Sequence, residues 1–121
     1  FSHHLFTQAK SPGPIRELQA WIHENLSKDL SIEKLADKVA MSARNFTRIF
    51  TRETGVTPAK YVEEVRLEYA RQQLEQSSDK LERVARERGF GNSLTLRRVF
   101  EKNLQISPSE YRSRFCSMQM A

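Results

Sequence analysis

Arg44, Asn45, Thr47 and Arg48 crowd into five positions, inside a stretch from Ser42 to Arg52 that holds three arginines and no acid. Asn92, Ser93, Thr95, Arg97 and Arg98 form a second such group, inside Arg88 to Phe100, again with three arginines and no acid. These side chains have one chemistry in common: they hydrogen-bond to flat, acceptor-rich or anionic surfaces. An arginine can fork onto O6 and N7 of guanine, an asparagine onto N6 and N7 of adenine, and hydroxyls suit either base edges or phosphates. Any one of these arginines is most simply a solvated helix residue. Two acid-free clusters, with the acids collected elsewhere (Asp29, Glu33 and Asp37; Glu63, Glu64 and Glu68), point instead to a face that meets DNA.

Catalysis finds little to work with. There is no Gly-rich phosphate loop, no HExxH and no CxxC. His3 and His4 stand without neighbouring ligands, so they are expected to be exposed linker residues and not a metal site. His23 follows Trp21 and Ile22 on a helical pattern and reads as structural or solvated. Cys116 is the single cysteine, has no local histidine partner, and excludes an internal disulfide, as expected of a cytoplasmic protein. No enzyme activity, cofactor or metal is expected. Nor is a membrane partner, since no apolar run approaches the roughly 18 to 20 residues of a bilayer span and no signal-peptide pattern opens the chain.

The elements that must position the two clusters come as a repeat. Ile32, Leu35, Ala36, Ala40 and Met41 fall on Leu81, Val84, Ala85, Gly89 and Phe90, an offset of 49. Phe46, Arg48, Ile49, Phe50, Pro58 and Tyr61 fall on Leu96, Arg98, Val99, Phe100, Pro108 and Tyr111, an offset of 50, so the second copy has one extra residue near Gly91 to Ser93. Each copy reads as a helix-turn-helix. Ala36 and Ala85 are the small residues where the helices cross, Met41 and Phe90 are anchors beside the turns, and the second helix keeps one face free. Ser31 and Ser42 suit N-caps, Gly55 a left-handed C-terminus, and Ser107 to Glu110 a capping box before a last short helix. Between the copies, Pro58 to Gln76 has no internal Gly or Pro and is apolar on more than one face, as a helix touching two lobes would be. About 19 residues at ~1.5 Å each is ~29 Å, close to the ~34 Å between successive major-groove faces of B-DNA, with bending of the duplex to accommodate the difference.

The expected fold is therefore all-α: seven helices, two helix-turn-helix subdomains joined by a long linker helix. Residues 1–13 are expected as a linker from a preceding domain, 14–56 as the first subdomain, 57–77 as the linker helix, 78–115 as the second subdomain and 116–121 as a tail. A start at Phe, not Met, reads as a piece of something longer. The net charge of +5 agrees with an anionic partner but decides little by itself.

From Ile15 to Phe115 the chain resembles the DNA-binding domain of the AraC/XylS family of bacterial transcription regulators. The resemblance is carried by Val84-Ala85, Gly89-Phe90, Leu96, Phe100, Ile106-Ser107-Pro108 and Tyr111-Arg112, in that order and spacing. It implies promoter-DNA binding through adjacent major-groove segments. Carried over by position, the resemblance implies Arg44, Asn45, Thr47 and Arg48 as the first set of base and backbone contacts, and Ser93, Thr95, Arg97 and Arg98 as the second. It also implies RNA polymerase as a partner, with activation favoured over repression. Two positions depart from the family. Gln105 stands where glycine is usual and where the first copy has Gly55, which leaves the second turn's geometry open. Leu94 fills a position often polar, which leaves apolar contact or no base reading there. The lead-in FSHHL, with SPGPIRELQAWI and GFGNSLTLRR, is similar to the subgroup whose N-terminal domain resembles the PfpI/glutamine-amidotransferase fold. That implies a small-molecule effector acting through a domain absent from these residues. The alternative from another class is a basic helical protein-interaction module, separable by salt dependence and sequence preference of duplex binding.

Overall fold

Caps and turn residues divide the chain as their chemistry requires. The structure, a computed structural model, describes residues 13–120, with side chains described through Phe115. His3, His4, the Cys116 side chain and nearly all of the expected linker lie outside the described residues. Seven helices, and no strand, occur among those described: α1 (Pro14–Glu24), α2 (Ile32–Lys38), α3 (Ala43–Thr54), α4 (Pro58–Gln76), α5 (Leu81–Glu87), α6 (Ser93–Leu104) and α7 (Pro108–Met120). The last is longer than the short helix expected and runs through most of the segment expected as a tail. Two compact units divide between Val65 and Arg66, inside α4.

In the first unit, Ser31 and Ser42 cap α2 and α3, accepting from the backbone N–H of Lys34 and Asn45. Each such cap contributes about 1 kcal/mol. The turn between these helices closes on the crossing residue. Ala36 is buried, and its carbonyl accepts the N–H of Met41 at 3.0 Å while Asp37 accepts that of Ala40 at 3.1 Å. This is the paired closure of a Schellman motif, and it holds Ala40 in the left-handed region at φ 57°. Phe46, Phe50 and Tyr61 form the aromatic core, with Phe50 and Tyr61 edge-on at 5.5 Å. The Tyr61 hydroxyl is hydrogen-bonded to His23 Nε2 at 2.9 Å, so the histidine serves α1 packing.

The second unit repeats this plan at the same points. Phe90 donates to Ala85 at 2.8 Å, and Gly89 takes the left-handed position that Ala40 takes in the first turn. Gly91 is the extra residue. It too is left-handed, at φ 88°, and its N–H shares the Ala85 carbonyl at 3.2 Å. Leu67, Ala70 and Leu74 of α4 join Val84, Ala85, Leu96 and Phe100 in one buried cluster. Phe100 meets Tyr111 edge-on at 5.4 Å, the counterpart of Phe50 and Tyr61. The Tyr111 hydroxyl donates to Glu75 and accepts from Arg71.

Gln105 resolves the departure from the family pattern. It adopts the left-handed conformation, φ 55°, and donates its N–H to Glu101, as Gly55 does to Thr51. Its side-chain amide also donates to the Lys102 carbonyl at 3.2 Å, satisfying one of the orphan carbonyls at the helix end. The capping box of α7 is made on one side. Ser107 accepts from the Glu110 N–H at 3.1 Å, but the Glu110 carboxylate pairs with Arg114 at 2.7 Å.

Candidate nucleic-acid interface

On α3, Phe46, Phe50 and Thr54 are buried, and this leaves Arg44, Arg48 and Arg52 exposed one turn apart in a single stripe. The stripe follows from the 3.6-residue period, since positions four apart stack on one face. Among the described residues no carboxylate pairs with these three arginines. Asn45 lies beside the stripe, half-buried, and accepts from Arg48 Nη2 at 2.7 Å. That bond holds the guanidinium beside the amide while leaving both able to donate further. Thr47 is turned differently. Its hydroxyl donates to the Ala43 carbonyl at 2.9 Å within the helix, so its proton is already used.

On α6, Leu96 and Phe100 are buried, and the exposed stripe is Leu94, Arg98 and Lys102. Arg98 stands at the register of Arg48, and Lys102 at that of Arg52. Arg52 and Lys102 are not among the contacts read from sequence, and their signal is the step of four from Arg48 and Arg98. Asn92 occupies the place of Ser42. It is the N-cap, and its Oδ1 accepts the Thr95 N–H at 2.8 Å, which leaves only its amide nitrogen to donate outward. Ser93 and Thr95 are partly exposed near the head of the helix.

Two acids reach α6 that the acid-free run from Arg88 to Phe100 does not show. Glu101 pairs with Arg97 at 3.3 Å, and Glu82 of α5 accepts the Ser93 N–H at 3.3 Å. The two second helices thus differ in field. The α3 arginines are without carboxylate partners, whereas Arg97 has one and a further carboxylate lies at the α6 N-terminus. Elsewhere among the described residues, no three His, Cys, Asp or Glu side chains converge as a metal site. No described helix is long and apolar enough to cross a membrane.

A helix-turn-helix carried twice, with a cationic stripe on the second helix of each copy, defines the class as a DNA-binding protein. Residues 35–114 match a family described as a helix-turn-helix domain. The chain is similar to the HTH-type transcriptional regulator Rv1931c of Mycobacterium tuberculosis, 46% identical over 84 residues, covering 69% of this chain and 32% of that protein. It is 30% identical over 104 residues to the HTH-type transcriptional activator RhaS of Citrobacter koseri, covering 86% of this chain and 37% of that one. Among solved structures it is similar to the DNA-binding domain of the global transcriptional factor AdpA in complex with a target DNA. The TM-score there is 0.84 at 33% identity, covering 88% of this chain and 96% of that one. The chain belongs to this helix-turn-helix family, as an AraC-type DNA-binding domain of a transcription regulator. It spans about a third of the length of the two curated relatives named.

Proposed function

We propose that the chain binds promoter DNA sequence-specifically, with α3 and α6 each presented to the major groove, as the DNA-binding part of a bacterial transcription activator. The observation that carries this reading is the shared register of the exposed stripes, Arg44, Arg48 and Arg52 on α3 and Leu94, Arg98 and Lys102 on α6. On this reading Arg44, Arg48, Asn45 and Arg98 address bases. Arg52, Arg97, Lys102, Ser93, Thr95 and the Asn92 amide address phosphates or base margins, and Thr47 contributes as an acceptor. Activation is supported by the similarity to RhaS, named as an activator, and it brings RNA polymerase as a partner. A small-molecule effector would act outside these 121 residues, in keeping with the share of its relatives that the chain spans.

The test is duplex binding by fluorescence anisotropy, using sites selected from a random library against scrambled duplex at 50 and 200 mM salt. Preference of at least about 10³ for the selected site is expected. Affinity should also fall with salt at a log–log slope of roughly −3, the value for phosphates neutralised by Arg52, Arg97 and Lys102. Salt-dependent binding with no preference among sequences would support a basic interaction module instead.

A further inference from the structure

Leu94 is 62% exposed, the exposed large hydrophobic among the described residues. Its apolar neighbours on α6 all face the core: Leu96 and Phe100 are buried there, and Val99 and Leu104 pack against it. Packing of the second unit therefore does not require Leu94. Its place is informative. It is the second residue of α6, in the register of Arg44, one turn ahead of Arg98 and two ahead of Lys102 on the exposed stripe.

The surroundings select what can lie against it. Glu82 holds its carboxylate at the Ser93 N–H, and Asn92 aims its carbonyl oxygen at the Thr95 N–H. These two backbone N–H groups are spent within the chain, and Leu94 itself has no side-chain donor for a phosphate or a base edge. What its isobutyl group suits is an apolar partner. Among the groups displayed in the major groove, the thymine C5-methyl is the apolar one.

We infer that Leu94 is a specificity-determining residue that packs its isobutyl group on the C5-methyl of a thymine in the segment facing α6. This rests on the DNA-binding reading above and adds a base identity to it.

The test uses a duplex selected from a random library with the 121-residue chain. Each thymine is replaced singly by deoxyuridine, which lacks only the methyl group. Affinities are measured for the parent chain, Leu94→Ala and Leu94→Met, with thermal midpoints as a folding control. At one thymine position, deoxyuridine should weaken the parent about fourfold, the worth of one buried methyl. Leu94→Ala should be insensitive at that same position, while Leu94→Met should retain most of the sensitivity. Specific binding with no deoxyuridine effect, or with the same effect in parent and Leu94→Ala, overturns the inference and leaves the DNA-binding reading standing. Failure to select any duplex overturns both.

Discussion

At the scale of single residues, equivalent positions in the two copies have different partners, and the partner decides the role. Tyr61 and Tyr111 occupy one register, yet one meets His23 and the other Glu75 and Arg71. Burial holds the His23 pKa below its ordinary 6.5. The folded chain therefore resists a proton that the unfolded chain accepts. The resulting stabilisation is full above about pH 6.5 and is lost as pH falls through the lowered folded value. The thermal midpoint should drop from pH 7.5 to pH 5, and His23→Gln, which can still bond Tyr61, should flatten that dependence; an equal drop in both chains would refute it. Arg48 and Arg97 make a second contrast. Arg48 is held by Asn45 and faces no carboxylate, whereas Arg97 shares Glu101. Arg48→Ala is expected to cost about 1 to 3 kcal/mol on the preferred site and to relax one base position. Arg97→Ala should weaken all duplexes alike and lower the salt slope by about one ion or less. Binding to single-base variants at two salt concentrations separates the two, and a reversal of roles would contradict the division.

Elements here are bounded by backbone conformations that two residues adopt without being glycine. Ala40 and Gln105 hold φ 57° and 55° where their repeat partners, Gly89 and Gly55, are glycine. A left-handed conformation costs an L-residue about 1 to 2 kcal/mol. Glycine removes that strain but loses about 0.4 to 1 kcal/mol through the more flexible unfolded chain. Ala40→Gly should therefore stabilise the protein by roughly 0.5 to 1 kcal/mol. Gln105→Gly should gain less, because it also gives up the bond to the Lys102 carbonyl. Urea denaturation midpoints measure both, and a lowered midpoint for Ala40→Gly would show that the turn is not strained. The helix α4 is more than a spacer. Tyr61 packs in the first unit, and Leu67, Ala70 and Leu74 are core residues of the second.

Taken whole, the chain is two small cores sharing one helix, and its charge is sorted and not spread. Phe50 and Phe100 are each fully buried against a tyrosine in their own unit. Truncation of either to Ala should cost about 3 to 5 kcal/mol, a large part of the ~5 to 15 kcal/mol typical of a domain. Hydrogen exchange locates the effect: Phe100→Ala should raise exchange first in the residues from Arg66 onward, and Phe50→Ala first in those before it. Uniform acceleration in both variants would mean that the two units unfold as one.

The repeat, the helix boundaries and most caps were legible in the sequence because they rest on local rules. Apolar residues recur at helical spacing, Ser31 and Ser42 precede helices they can cap, and α4 and α6 begin and end where Pro58, Gln76, Ser93 and Leu104 suggest. Of the cationic stripes, Arg44, Arg48 and Arg98 were legible as members of the two acid-free clusters, while Arg52 and Lys102 were not read as contacts. Only the tertiary structure decided which polar groups remain available for contact. Glu82 crosses 11 positions to the head of α6, whereas the Asn92 cap and the Thr47 bond to its own helix are local, spanning three and four positions. Tyr61 and Tyr111 find partners 38 and 40 positions away, His23 and Arg71. Such bonds follow from which surfaces packing brings together, and no period in the chain encodes them. The conformation of Gln105 belongs with these. The helix end and the turn after it impose a left-handed residue there, and glutamine accepts the strain in exchange for a carbonyl its amide can reach.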